Sequence, residues 1–117
     1  TATPLQALVL MNGPQFVEAA RMLGEAMVRE HGDNIQSIIR ETFRTLTSRE
    51  PSGREVALLK QLHDDQLAHF EKDAKATDAF LGTGASPEPR GLAKPRVAAA
   101  GVLAKALMNF DEAVVKR

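Results

Sequence analysis

The chain contains no cysteine, no tryptophan and no tyrosine, and its aromatic content is five phenylalanines. Without cysteine, its 117 residues hold no disulfide, thiolate zinc site, covalently attached c-type haem or cysteine nucleophile. The scarcity of rings removes the stacking platforms that single-stranded nucleic acid needs. An excess of charge of either sign is missing too. Fifteen Lys and Arg balance fifteen Asp and Glu, so the basic footprint of a nucleic-acid binder is absent at the level of the whole domain. The longest apolar run, Val97 to Leu107, is too short to span a bilayer and contains Lys105, so no membrane insertion is expected and the chain reads as soluble. No basic segment leads into an apolar run at the N-terminus, so a signal sequence would have to precede Thr1. Strand alternation is absent throughout, as are the GxSxG, HExxH, Walker-type and Rossmann glycine patterns.

What the chain does hold is helical periodicity. Thr3 is a good N-cap and Pro4 suits the first helical position, where its missing N–H costs nothing. From Leu5 to Met11 only Gln6 is polar, so this first helix is apolar on nearly every side and requires cover by protein rather than water. A helix of that kind at the first residues, with no initiator Met, implies a piece of a longer protein. Asn12-Gly13-Pro14 ends it and starts a second helix, in which Phe16, Ala19, Ala20, Leu23 and Met27 form the apolar face. Glu18, Arg21, Glu25 and Arg29 are assigned to the opposite, solvated face, and the helix ends near His31-Gly32.

Asp33 is the expected cap of a third helix, with Gln36 completing a capping box and Ile35, Ile38, Ile39, Thr42, Phe43 and Leu46 forming the buried stripe. Ser48 to Pro51 closes that helix, and Ser52 with Glu55 makes a capping box for a long fourth one. Its apolar face is Val56, Leu59, Leu62, Leu67 and Phe70. Asp73 caps a short helix ending at Leu81, whose independent stability would be small. Residues 82–95 are rich in Gly and Pro and read as a flexible connection. The last helix, from about Pro95 to Val115, is again apolar on most sides, and Ala98, Ala99, Ala100 and Gly101 allow close helix approach. The fold class is therefore all-α: a compact bundle of five or six helices, with no second copy of a helical hairpin to suggest a repeat solenoid. Residues 1–117 form a single helical domain or a domain fragment.

Three stretches carry a family resemblance: Thr3 to Ala20 (Thr-Pro-Leu-Gln-Ala-Leu-Val-Leu-Met-Asn-Gly-Pro-Gln-Phe-Val-Glu-Ala-Ala), Ile39 to Pro51, and Ala106 to Ala113. The chain resembles the bacterial domain of unknown function 1553 family, abundant in planctomycetes. That resemblance implies the C-terminal helical portion of a longer, exported or periplasmic protein, sometimes joined to a cytochrome-c-like domain. It carries no catalytic residues with it. Ser48 departs from the pattern, since such segments have Gly there, and residues 82–95 read as locally variable.

No chemistry-bearing constellation emerges from the remaining polar residues. His63 lies within the apolar stripe of the fourth helix and reads as a partly buried histidine making one hydrogen bond. Asp65 and His69 share an i, i+4 face but supply only two ligands where a metal needs three or four, so no metal site and no cofactor are assigned. His31, at a helix end, is a favourable charge for the helix dipole. Adjacent Asp111 and Glu112 point about 100° apart on a helix and do not form a facing acid–base pair. Arg40, Arg44 and Arg49 are interleaved with Glu41 and Glu50, which favours pairing within the chain over a basic patch. The expected role is a noncatalytic packing or protein-interaction module, with Leu5, Leu8, Val9 and Met11 as the interaction residues and no enzyme activity of its own. Its partner would be the remainder of the parent protein, another protein, or a second copy in a homodimer of the isolated fragment. The alternative is an accessory module supporting an enzyme or electron-transfer site on upstream domains.

Overall fold

A computed structural model describes residues 13–115, with side chains described up to residue 109. Five helices occupy the described residues: α1 (Pro14–His31), α2 (Ile35–Thr47), α3 (Gly53–Lys72), α4 (Ala74–Leu81) and α5 (Lys94–Val115). None of the described residues is in a strand. The segment Leu5–Met11, and with it the interaction residues Leu5, Leu8, Val9 and Met11, lies outside the described residues.

Local chemistry sets most of the boundaries. Pro14 opens α1 at N1, and the helix closes at Gly32, which has φ 63° and donates its N–H to Val28 O. At α3 the Ser52 side chain accepts from the Glu55 N–H while Glu55 accepts from the Ser52 N–H, forming the reciprocal capping box. Asp73 ends α3 and caps α4, accepting from the Ala76 N–H at 2.9 Å. One cap differs from the sequence expectation. Asn34, not Asp33, is the N-cap of α2, and it accepts from the Ser37 N–H at 3.2 Å. The Gly32 turn, closed by the Asn34 N–H on His31 O, carries the chain one residue further before the helix begins. Asp33 is left exposed.

The helix α5 is the centre of the bundle. It touches all four other helices, most extensively α1. Val97, Ala98, Ala99, Ala100, Leu103, Ala104 and Leu107 are all buried, as its all-round apolar character demands. The α2 stripe supplies Ile38, Ile39 and Phe43 to the same core, α1 supplies Met27 and Val28, and Phe70 and Leu81 close it from α3 and α4. Each large side chain of this kind contributes roughly 1.5–3 kcal/mol when fully buried.

The closest approach of α1 to α5 is made by facing glycines. A Cβ placed on Gly24 would sit 2.7 Å from Gly101 Cα and 2.8 Å from the Ala100 carbonyl carbon, so the two backbones touch. Around this crossing the chain runs in a definite order. Thr83 and Ser86 lie against Arg21, Arg90 lies beside Arg29, and α5 then returns along α1. The C-terminal half of α5 therefore lies at the end of the bundle where α1 begins. The C-terminal half of α2 and the first turns of α3 meet that part of α5, because Phe43, Leu58 and Leu59 line one groove with Ala106 and Leu107.

Candidate functional site

Most of the polar side chains singled out in the sequence have structural employment. His63 is 1% exposed, more deeply buried than its sequence position implied, with Nδ1 3.3 Å from Asp64 Oδ1. The Asp64 carboxyl is held below its ordinary pKa by the hydrogen bond from Lys60 first, with His63 contributing. Asp65 and His69 are exposed. Among the described residues, no three His, Asp or Glu side chains are grouped to hold a metal ion. The side chains of Asp111 and Glu112 lie outside the described set.

Two arginines do more than the sequence showed. Arg21, assigned to the solvated face of α1, is 1% exposed. Its guanidinium donates to Thr83 O at 2.8 Å, Ser86 O at 2.6 Å and Pro87 O at 3.4 Å. Beside it, Glu18 Oε2 accepts from the Ser86 N–H at 2.6 Å, so both backbone polar groups of Ser86 are held by α1. The Ser86 side chain first, and its backbone N–H second, lower the Glu18 pKa. Gly84 packs directly on this carboxylate with φ 90°, a place where a Cβ would collide with the Glu18 side chain. The segment 82–93 has neither helix nor strand, consistent with its Gly and Pro content, and is tied to α1 by these bonds. The burial of Arg21 satisfies loop carbonyls that are more than 60 residues away in sequence, which helical periodicity within α1 could not reveal.

Arg49 organises the other end of the bundle. It makes a two-pronged ion pair with Glu55, Nη1 to Oε1 at 2.9 Å and Nη2 to Oε2 at 2.8 Å, and its guanidinium lies 4.7 Å from the Phe43 ring centroid. The hydrogen bond from Arg49, reinforced by the Ser52 N–H, lowers the Glu55 pKa to about 2. Arg44 lies 3.5 Å from Glu50 and 4.0 Å from Glu41. In the hollow lined by Glu41, Arg44, Ser48, Arg49 and Glu50, Arg44 pairs with the interleaved glutamates as the sequence implied, whereas the partner of Arg49 is Glu55.

Next to the Arg49–Glu55 pair lies an apolar groove of about 220 Å³. Its walls are Phe43 of α2, Leu58 and Leu59 of α3, and Ala106 and Leu107 of α5, with Glu55 at the rim. Leu58 is 62% exposed and Met22 on α1 is 47% exposed, the two exposed large hydrophobic side chains among the described residues. The Glu55 carboxylate at the rim is engaged by Arg49 and the Ser52 N–H, and the chemistry of the walls is that of receiving apolar side chains. The sequence signal for it was slight. Leu58 lies about 100° around the helix from Leu59 and off the Val56, Leu59, Leu62 stripe, so it is an apolar residue that the core of the bundle does not claim.

Comparison with known proteins gives one match. The family model described as PSD1, Protein of unknown function (DUF1553), matches residues 1–63, from the N-terminal apolar segment through α1 and α2 to the middle of α3. No curated protein and no solved structure matches the chain.

Proposed function

The chain belongs to the family described as Protein of unknown function (DUF1553), and from that premise we propose that it is a noncatalytic helical module that packs against the remainder of its parent protein. The observation that carries this reading is the open groove at Phe43, Leu58, Leu59, Ala106 and Leu107, where Leu58 stays 62% exposed beside a core that is otherwise well closed. In the sequence, Leu5, Leu8, Val9 and Met11 are a second set of apolar residues. Both sets of residues suit a protein partner. Among the described residues no helix is long and apolar enough to cross a membrane.

The test is a calorimetric titration of this chain, with and without Leu58→Asp, into the parent protein lacking these residues. Because Leu58 is mostly exposed, the substitution should change the stability of the free chain by no more than about 0.5 kcal/mol. Removing an apolar anchor from an interface and burying a carboxylate in its place should weaken association by at least about tenfold. Equal affinity for the two chains, or no association of either, would refute the packing role.

A further inference from the structure

The apolar groove continues beyond Leu58 and Ala106. The Phe70 ring of α3 lies 5.8 Å from the Phe80 ring, and Phe80 lies against Gly101 of α5, whereas Leu58 and Leu59 at the other end of α3 meet Ala106 and Leu107. The two helices therefore run antiparallel. One turn further along the pair, Leu62 follows Leu58 on α3 and Val102 precedes Ala106 on α5, and both are only partly buried. These four side chains edge an apolar seat two turns long. Its outer border is charged. Arg54, Leu58 and Asp65 are spaced four and seven residues apart and fall within about 40° of one another around α3, so a cation stands at one end of the seat and a carboxylate at the other, about 16 Å away. Both are exposed and have no ion-pair partner among the described residues, while the neighbouring charges neutralise one another as Arg49 with Glu55 and Lys60 with Asp64.

We propose that this seat receives an amphipathic helix of the parent protein, about three turns long, whose acidic end meets Arg54 and whose basic end meets Asp65. The inference deepens the packing role proposed above and rests on it for the source of the helix. The helical form follows from the walls. Both are helices whose N–H and C=O groups are bonded internally, so they present no main-chain edge with which an extended segment can pair. A segment buried there must satisfy its own backbone, and a helix with apolar residues three and four apart does so while filling the space between Leu58, Leu62, Val102 and Ala106. The direction follows from the charges. Arg54 and Asp65 are further apart than the screening length of about 10 Å at 0.1 M salt, so each end of the seat selects its own counter-charge instead of the two cancelling.

The test exchanges the two charges. Arg54→Glu combined with Asp65→Lys reverses their order and leaves the net charge of the chain unchanged, so general electrostatic attraction is held constant. Both sites are exposed on α3, so the fold is retained, which circular dichroism verifies. In a calorimetric titration of the full 117-residue chain into the parent protein lacking these residues, the exchange should weaken association about tenfold at low salt and much less at high salt, because each end loses an attraction and gains a repulsion. Amide hydrogen exchange on the complex with the unaltered chain should newly protect one contiguous parent segment of about eleven residues, the helical length that spans 16 Å. Equal affinity of the exchanged chain, a loss that high salt does not relieve, or protection scattered over separate parent segments would overturn the inference. If Leu58→Asp still weakens association in that event, the packing role stands without it. An unaltered chain that leaves the parent unbound, or that pairs only with a second copy of itself, removes both.

Discussion

Replacing Gly24 by alanine sets two principles against each other. In an exposed helix interior, Gly→Ala is stabilising by about 1 kcal/mol, because alanine restricts the unfolded chain and has the higher helix propensity. At Gly24 the new methyl would fall 2.7 Å from Gly101 Cα and 2.8 Å from the Ala100 carbonyl carbon. Those are backbone atoms of the central helix and cannot swing away as a side-chain tip can. Relief requires α1 and α5 to separate along the most extensive helix contact in the bundle. Overpacking of this kind costs about 1–3 kcal/mol, and helix separation adds lost dispersion across the Ala98–Leu103 surface. The net expectation is a loss of about 2 kcal/mol. With no tryptophan or tyrosine to report by fluorescence, urea unfolding followed by circular dichroism is the suitable assay. At a urea m-value of about 1–3 kcal/mol/M, the midpoint should fall by roughly 1 M. Gly53→Ala is the control, since nothing lies within 4 Å of its would-be Cβ, and it should be neutral or slightly stabilising. If Gly24→Ala raises the midpoint as Gly53→Ala does, the tight crossing is refuted.

Three further outcomes follow from named contacts. Ser48 ends α2 with φ 62° and ψ 22°, a left-handed conformation that costs a non-glycine residue about 1 kcal/mol, so Ser48→Gly should raise stability by about that amount in the same unfolding assay. Arg21→Met keeps the aliphatic stem but leaves the Thr83 and Ser86 carbonyls without their donor; proteolysis between residues 83 and 90 should accelerate before global unfolding, and an unchanged cleavage rate would deny Arg21 its role in tying down the loop. Glu55 has a folded pKa of about 2 against an ordinary 4.5, so its contribution is present above about pH 4.5 and is lost as pH falls toward 2. Arg49→Met, which removes the main cause of the shift, should flatten the stability profile over that acid range, and high salt should do so in part because the pair is solvent-accessible.

The architecture was legible wherever a short stretch of chain carries its own instructions. The Ser52–Glu55 box, the Asp73 cap, Pro14 at N1 and the Ile38, Ile39, Phe43 stripe depend on residues within one or two turns of each other, and the structure has them as the sequence implies. The run Ala98 to Gly101 announced close packing, but its partner was hidden. Gly24 looks like a weak point in α1 until α5 is laid against it. The Asp33 and Asn34 caps show the resolution of such signals, because both residue types accept from a helix N-terminus and only the turn at Gly32 decides between them.

Arg21 and Leu58 were misleading or silent for one shared reason: each takes its environment from chain distant in sequence. An arginine on a polar helix face is assigned to water by periodicity, yet the 82–93 segment crosses that face and its carbonyls need donors. Leu58 presents the converse. A lone apolar residue off the stripe is unremarkable on an isolated helix, and it becomes the wall of a groove only when Phe43 from α2 and Leu107 from α5 are brought beside it. The Arg49–Glu55 pair then fixes the groove's rim, because Arg49 is anchored at once to the cap of α3 and to the ring of Phe43. Loss of that pair should therefore loosen the α2–α3 turn and the groove together, which joins the acid-sensitive element of the fold to its candidate docking surface.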